Sequence, residues 1–119
     1  MAIKLKRAYE PAVAGDGVRY LVERLWPRGL RKTALRLDAW LKEVAPSAEL
    51  RRWFSHDPAK WGAFRPRYFR ELQANGGAWE PILKAARRGT VTLHYAARDT
   101  EHNNAVALKE FLEARVGGH

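Results

Sequence analysis

Residues 92–106 read TLHYAARDTEHNNAV. A strand-forming run gives way there to a helix-forming one. Arg98, Asp99, Glu101, His102, Asn103 and Asn104 crowd the joint. These side chains can do two kinds of work. Asp99 or Thr100 can accept hydrogen bonds from the free N–H groups of a first helical turn, and Glu101 there favours the helix dipole. Capping leaves Arg98, His102, Asn103 and Asn104 without a task, and asparagine is a mediocre helix former. The second kind of work is anion binding. Free N–H groups at a helix start attract an anion, and Arg98 and His102 strengthen the attraction. Asp99 and Glu101 repel a bare phosphate, so they fit such a site when they pair with arginines from elsewhere. Histidine titrates near neutrality, which makes His102, beside Asp99, the candidate for proton transfer.

Two further stretches carry chemistry. Glu23 to Lys32 places Arg24, Arg28, Arg31 and Lys32 around Trp26. A guanidinium stacked on an indole can hold a phosphate or a flat ring. The same residues can equally form an apolar plug at Trp26-Pro27 with solvated arginines around it. Glu23 and Asp99 are the available internal partners. In Trp53 to Pro58, His56 can serve as a ligand or proton-transfer group, or pack in a turn before the Asp57-Pro58 helix start. His94 lies inside the strand and reads as structural. No His-Glu-x-x-His, paired-His or acidic-triad pattern occurs, so no metal is expected, and with no Walker or GxGxxG loop, no cofactor either.

Composition narrows the partners. The chain has 119 residues, no cysteine and a net charge of +9, with arginine outnumbering lysine 15 to 7. Disulfides and thiolate chemistry within the chain are excluded. The charge favours an anionic partner. No apolar run approaches the ~18 residues of a membrane span, and no leader pattern opens the chain, so a cytoplasmic protein without a membrane partner is expected.

The elements that must position these groups follow from periodicity. Ala2–Tyr9 and Val18–Leu25 read as strands, separated by turn chemistry at Pro11–Gly17. Leu37–Val44 has helical spacing, with Leu37, Trp40, Leu41 and Val44 on one face. Ser47 caps a second short helix as a plain cap, because Leu50 stands where a capping box needs Glu. Asp57-Pro58 opens a helix carrying Trp61, Phe64, Tyr68 and Leu72, with a kink or restart expected at Pro66. Asn75-Gly76-Gly77 stops it. Trp79–Arg87 is a helix, Val91–Tyr95 a third strand, and Glu101–Val116 the last helix. The expected fold is α/β: one small domain over residues 1–119, a three-stranded, at least partly parallel sheet, and five or so helices packed on it. A hairpin between the first two strands is the alternative pairing. Ligands of open α/β sheets gather at the carboxyl ends of parallel strands, here Glu23–Arg31 and Ala96–Asn104.

Four stretches together, VERLWPRGL (22–30), WLKEVAPS (40–47), LRRWFSHDP (50–58) and TLHYAARDTEHNNAV (92–106), resemble the YeaO-like branch of the domain of unknown function 488 family. The resemblance covers nearly the whole chain. It implies a small α/β domain and marks the segments around Trp26 and His102 as signatures, without assigning them a reaction.

The functional expectation is a cleft for a small anionic or nucleotide-like ligand between Glu23–Arg31 and Arg98–Asn104, with hydrolase or transferase chemistry left open. Arg24, Arg28 and Arg98 would hold the anion, with Trp26, Asn103 and Asn104 beside them and His56 at the rim. Glu23 and Asp99 would orient the arginines, and His102 would move a proton. The alternative is a nucleic-acid-binding protein using Arg51, Arg52, Arg65, Arg67, Arg70, Arg87 and Arg88. A protein-interaction module, which needs an exposed apolar patch, is the third reading.

Overall fold

The computed structural model describes residues 2–116. Four strands, β1 (Ala2–Arg7), β2 (Val18–Leu21), β3 (Ala39–Trp40) and β4 (Thr90–Tyr95), form one sheet in the order β1-β4-β2-β3. Every pairing is parallel. β4 lies between β1 and β2, so the hairpin alternative does not occur, and the sheet has four strands where three were expected.

The added strand replaces part of an expected helix. Leu37, Trp40, Leu41 and Val44 do recur at helical spacing, but a helix would bury them all on one side. Here Leu37 and Trp40 pack with Leu21 and Leu35 on one face of the sheet, whereas Leu41 and Val44 pack into the main core on the other. Backbone bonds to β2 hold this arrangement: Asp38 N donates to Arg19 O and Leu41 N to Leu21 O, both at 2.8 Å. Only a 3-10 turn, Lys42–Val44, remains of the helix.

Strand alternation sorts the rest. Ile3, Leu5, Val18, Tyr20, Val22, Val91, Leu93 and Tyr95 meet the helices. The opposite face is covered by residues 23–38, including the single-turn helix α1 (Lys32–Leu35), through Trp26, Leu30, Leu35 and Leu37. Helices α4 (Gly76–Arg88) and α5 (Asn104–Val116) lie on the sheet, and α3 (Trp61–Gln73) packs across α2 (Ala48–Phe54), α4 and α5.

Two helix boundaries in the middle of the chain depart from the local signals. α3 runs through Pro66 without a restart. Pro66 and Gly62 are both exposed, so the carbonyl that loses its helical donor faces water. Gly76 and Gly77 begin α4 instead of separating the helices. Ser47 caps α2 by accepting from Leu50 N at 3.1 Å, the plain cap expected. Glu71 of α3 then accepts from Ser47 N (2.8 Å) and Oγ (2.6 Å), so a distant glutamate completes the cap. Gly17 is required where it stands: at φ +65°, a Cβ would lie 2.2 Å from Thr90 O.

Tyr68 is fully buried in α3, and its hydroxyl donates to Val44 O at 2.6 Å. Burial, with Glu23 and Glu71 nearby, pushes the phenol well above its ordinary pKa. Tyr68→Phe leaves that carbonyl unpaired and is expected to lower stability by about 1–2 kcal/mol, read as a shift of the urea midpoint at unchanged slope.

Candidate ligand-binding site

β2 and β4 end side by side, and the chain turns there into the groups that form a cavity of about 280 Å³. Glu23 leaves β2 with its carboxylate anchored, Oε2 accepting from Ala96 N at 2.9 Å. Burial raises its pKa, and the Ala96 hydrogen bond and the charge of Arg51 offset this only in part. Arg51, in the middle of α2, lines the same cavity, and its Nε is buried without a hydrogen-bond partner among the described residues. Glu23 and Arg51 both line the cavity and form no ion pair with each other.

The end of α2 shapes the mouth. Ser55 (φ 48°) and His56 (φ 55°) are successive left-handed residues, a conformation non-glycine residues adopt at a cost. Ser55 N donates to Arg51 O (2.9 Å) and Asp57 N to Phe54 O (3.0 Å), while Asp57 caps the following turn by accepting from Ala59 N (3.0 Å). This reversal puts His56 at the cavity mouth, 6.4 Å from the Phe54 ring. Phe54 stacks on Phe64 at 4.4 Å, and Trp61 on Phe64 at 5.6 Å, which gives the cavity an aromatic wall.

The joint after β4 closes the other side. Asp99 Oδ1 accepts from Glu101 N (2.9 Å) and His102 N (3.0 Å), and its Oδ2 lies 2.9 Å from His102 Nδ1. The Glu101 N–H bond, then the bonds and charge of His102, hold the Asp99 carboxyl below its ordinary pKa. The helix begins at Asn104, three residues later than its sequence suggested. Asn103 is the capping residue: Oδ1 accepts from Val106 N (3.0 Å) and Nδ2 donates to Asp99 O (2.9 Å). Asn104 Nδ2 donates to Val22 O at 2.7 Å and ties α5 to the end of β2. The asparagines that look costly inside a helix sit at its boundary.

Of the residues singled out from sequence, Glu23, His56, Asn103 and Asn104 meet in the cavity wall. Six others lie outside it. Arg24 turns away, donating to Ala45 O (3.1 Å) and Pro46 O (3.3 Å), and so props Pro46 against the cavity. Trp26 packs on Trp40 beneath the sheet, with Nε1 donating to Leu30 O at 2.5 Å. Arg28 and Arg98 are exposed. Asp99 pairs with His102 rather than with an arginine, and His102 stands edge-on to Trp61 at 5.5 Å, behind the aromatic wall. The arginines in the wall are Arg51 and Arg52, which sequence reasoning assigned to a nucleic-acid surface. Their spacing held the signal: they precede Ser55 by four and three residues on a helix, on the side that leads to His56. The other arginines of that surface divide: Arg65 pairs with Glu110, Arg67 lies over Trp53 at 4.1 Å, and Arg70, Arg87 and Arg88 are exposed.

Among the described residues no group of three or more His, Cys, Asp or Glu side chains could hold a metal ion, and no helix is long and apolar enough to cross a membrane. All four stretches that carry the family resemblance contribute to the cavity: Glu23, Pro46, Arg51-Arg52 with Phe54 to His56, and Asn103-Asn104; Phe64 lies outside them. The family model described as the inactive DUF488-N3 subclade matches residues 2–118. The chain is 41% identical over 114 residues to the uncharacterized protein YeaO of Escherichia coli (strain K12), covering 96% of this chain and 99% of that protein. It is 38% identical over 113 residues to the uncharacterized protein Rv3073c of Mycobacterium tuberculosis (strain H37Rv), covering 95% of each. No solved structure matches. A family match of this extent, with the resembling stretches gathered around one cavity, places the chain in the DUF488 family, in the subclade described as inactive.

Proposed function

We propose that the cavity binds a small anionic, nucleotide-like ligand and holds it without converting it. The observation that carries the reading is that Glu23 and Arg51 share one cavity wall without an ion pair between them, Glu23 held only by Ala96 N and the Arg51 Nε without a partner among the described residues. A half-buried carboxylate and guanidinium that are only partly hydrogen-bonded keep capacity for a further partner. A guest that donates to Glu23 and accepts from Arg51 would complete the hydrogen bonding of both. Arg52 adds a second guanidinium suited to phosphate oxygens, and Phe54 and Phe64 add an apolar edge to the wall. Binding without turnover fits the description of the matching family as inactive, and the His102–Asp99 pair stands outside the wall.

Titration calorimetry and thermal shift against inorganic phosphate, ribose 5-phosphate and nucleoside monophosphates test this. Stabilisation by a sugar phosphate or nucleotide is expected to survive moderate salt. Arg51→Met is expected to weaken binding by roughly 10–100-fold, the worth of a charge-assisted hydrogen bond. Glu23→Gln weakens it less, because the amide oxygen still accepts. Arg28→Ala, outside the wall, leaves it unchanged. Undiminished binding by Arg51→Met, or no stabilisation by any of these compounds, rejects the proposal.

A further inference from the structure

Between Glu23 and Asp38 the chain carries five cations and no acid. Arg24 is turned inward onto backbone carbonyls. Arg28, Arg31, Lys32 and Arg36 are exposed and take part in no ion pair among the described residues. The backbone that carries them is firmly seated. Leu35 is buried, Trp26 meets Trp40 edge-on at 5.3 Å, and Arg19 donates to Leu35 O (2.6 Å) and Arg36 O (3.1 Å). The cations therefore sit on an ordered platform, and a partner need not first order a loop.

An aromatic ring adjoins the platform. Tyr9 is 42% exposed, its hydroxyl donates to Arg28 O at 2.9 Å, and the Arg7 guanidinium lies 5.0 Å from its ring. Unpaired arginine forks beside a half-exposed ring make the combination that holds phosphates and stacks a base. A second copy of the chain would bring like charge against like. An acidic peptide would satisfy the cations but has no use for the ring.

We propose that this face, separate from the cavity, binds single-stranded nucleic acid, with phosphates on Arg28, Arg31, Lys32 and Arg36 and a base against Tyr9. The test is fluorescence anisotropy with a labelled oligouridylate of about 12 nucleotides, titrated from about 50 to about 200 mM salt. The triple variant Arg28→Ala, Arg31→Ala, Arg36→Ala is compared with Arg70→Ala, Arg87→Ala, Arg88→Ala, which removes the same charge from other elements. The first is expected to bind at least about tenfold more weakly and to lose about 2 from the slope of log affinity against log salt, with the second within about threefold of wild type. Tyr9→Ser weakens binding at unchanged slope. Equal losses in the two triples reduce the effect to net charge and overturn the proposal. So does absence of wild-type binding, or a preference for polyglutamate over the oligonucleotide. Circular dichroism of each variant confirms folding.

Discussion

Asp16→Ala is expected to destabilise the protein by about 3–5 kcal/mol, the usual result of removing one partner from a buried charge cluster. Asp16 lies on the segment that carries the chain from β1 across β4 to β2. Its buried carboxylate accepts from Lys6 Nζ at 3.1 Å through both oxygens, from Val13 N at 3.0 Å, and from the Arg19 guanidinium. Thr92 of β4 donates to its carbonyl at 2.7 Å. Burial by itself would raise the carboxyl pKa. The Val13 and Lys6 hydrogen bonds and the charges of Lys6 and Arg19 outweigh it and hold the group below 3.8. Without the carboxylate, two cations remain close together on a largely buried face. Asp16→Asn keeps the shape and an acceptor but not the charge, and should recover only part of the loss. Urea unfolding at neutral pH gives the number. A cost under about 1 kcal/mol would mean that Lys6 and Arg19 find water when Asp16 goes, and that the cluster does not latch the crossover.

The second large effect depends on pH. His94 has no exposed surface, and neither ring nitrogen has a hydrogen-bond partner among the described residues. Burial, then the positive charges of Arg19 and Lys6, outweigh Asp16 and lower its pKa from 6.5 to about 4. The native state therefore refuses a proton that the unfolded chain accepts. The neutral ring's contribution to stability is intact above 6.5, erodes as pH falls from 6.5 towards 4, and is gone below about 4. The interval corresponds to a loss of up to roughly 3 kcal/mol. Asp16 acts in a lower window: its contribution is complete above 3.8 and disappears only as pH falls through its depressed native value. Urea midpoints at intervals between pH 7.5 and 4 should slope downward in wild type and flatten in His94→Leu, where no proton is taken up. At pH 7.5 the variant should lie within about 1 kcal/mol of wild type, because two unpaired nitrogens are removed along with the ring. An undiminished slope in His94→Leu would assign the acid sensitivity to other groups.

Local chemistry made much of the fold legible. Apolar alternation marked β1 and placed His94 opposite Leu93 and Tyr95 in β4, and a run of β-forming residues marked β2. Ser47 and Asp57 announced their turns, since a side-chain acceptor beside free N–H groups needs no distant partner. The strand-to-helix joint also proved to be well capped, through Asn103 as well as Asp99. Capping and lining the cavity are compatible there, since Asn103 does both.

What the sequence by itself determined was a basic, cysteine-free α/β chain of the DUF488 family, the approximate course of its helices, and the gathering of Glu23, His56, Asn103 and Asn104 at strand ends. Tertiary structure decided the rest. β3 exists because the edge of β2 offers hydrogen bonds to Asp38 and Leu41, and because Leu37 and Leu41 are wanted on opposite faces of the sheet. Local periodicity carries neither fact. The choice among arginines was decided in the same way. Their side chains are long and their donors alike, so each goes where the distant backbone leaves an acceptor or a charge. Arg24 finds Ala45 and Pro46, more than twenty residues away, and Arg19 finds Asp16 and the carbonyls of residues 35 and 36. Arg51 finds none among the described residues and lines the cavity, near enough to the Glu23 carboxylate to lower its pKa but in no ion pair with it.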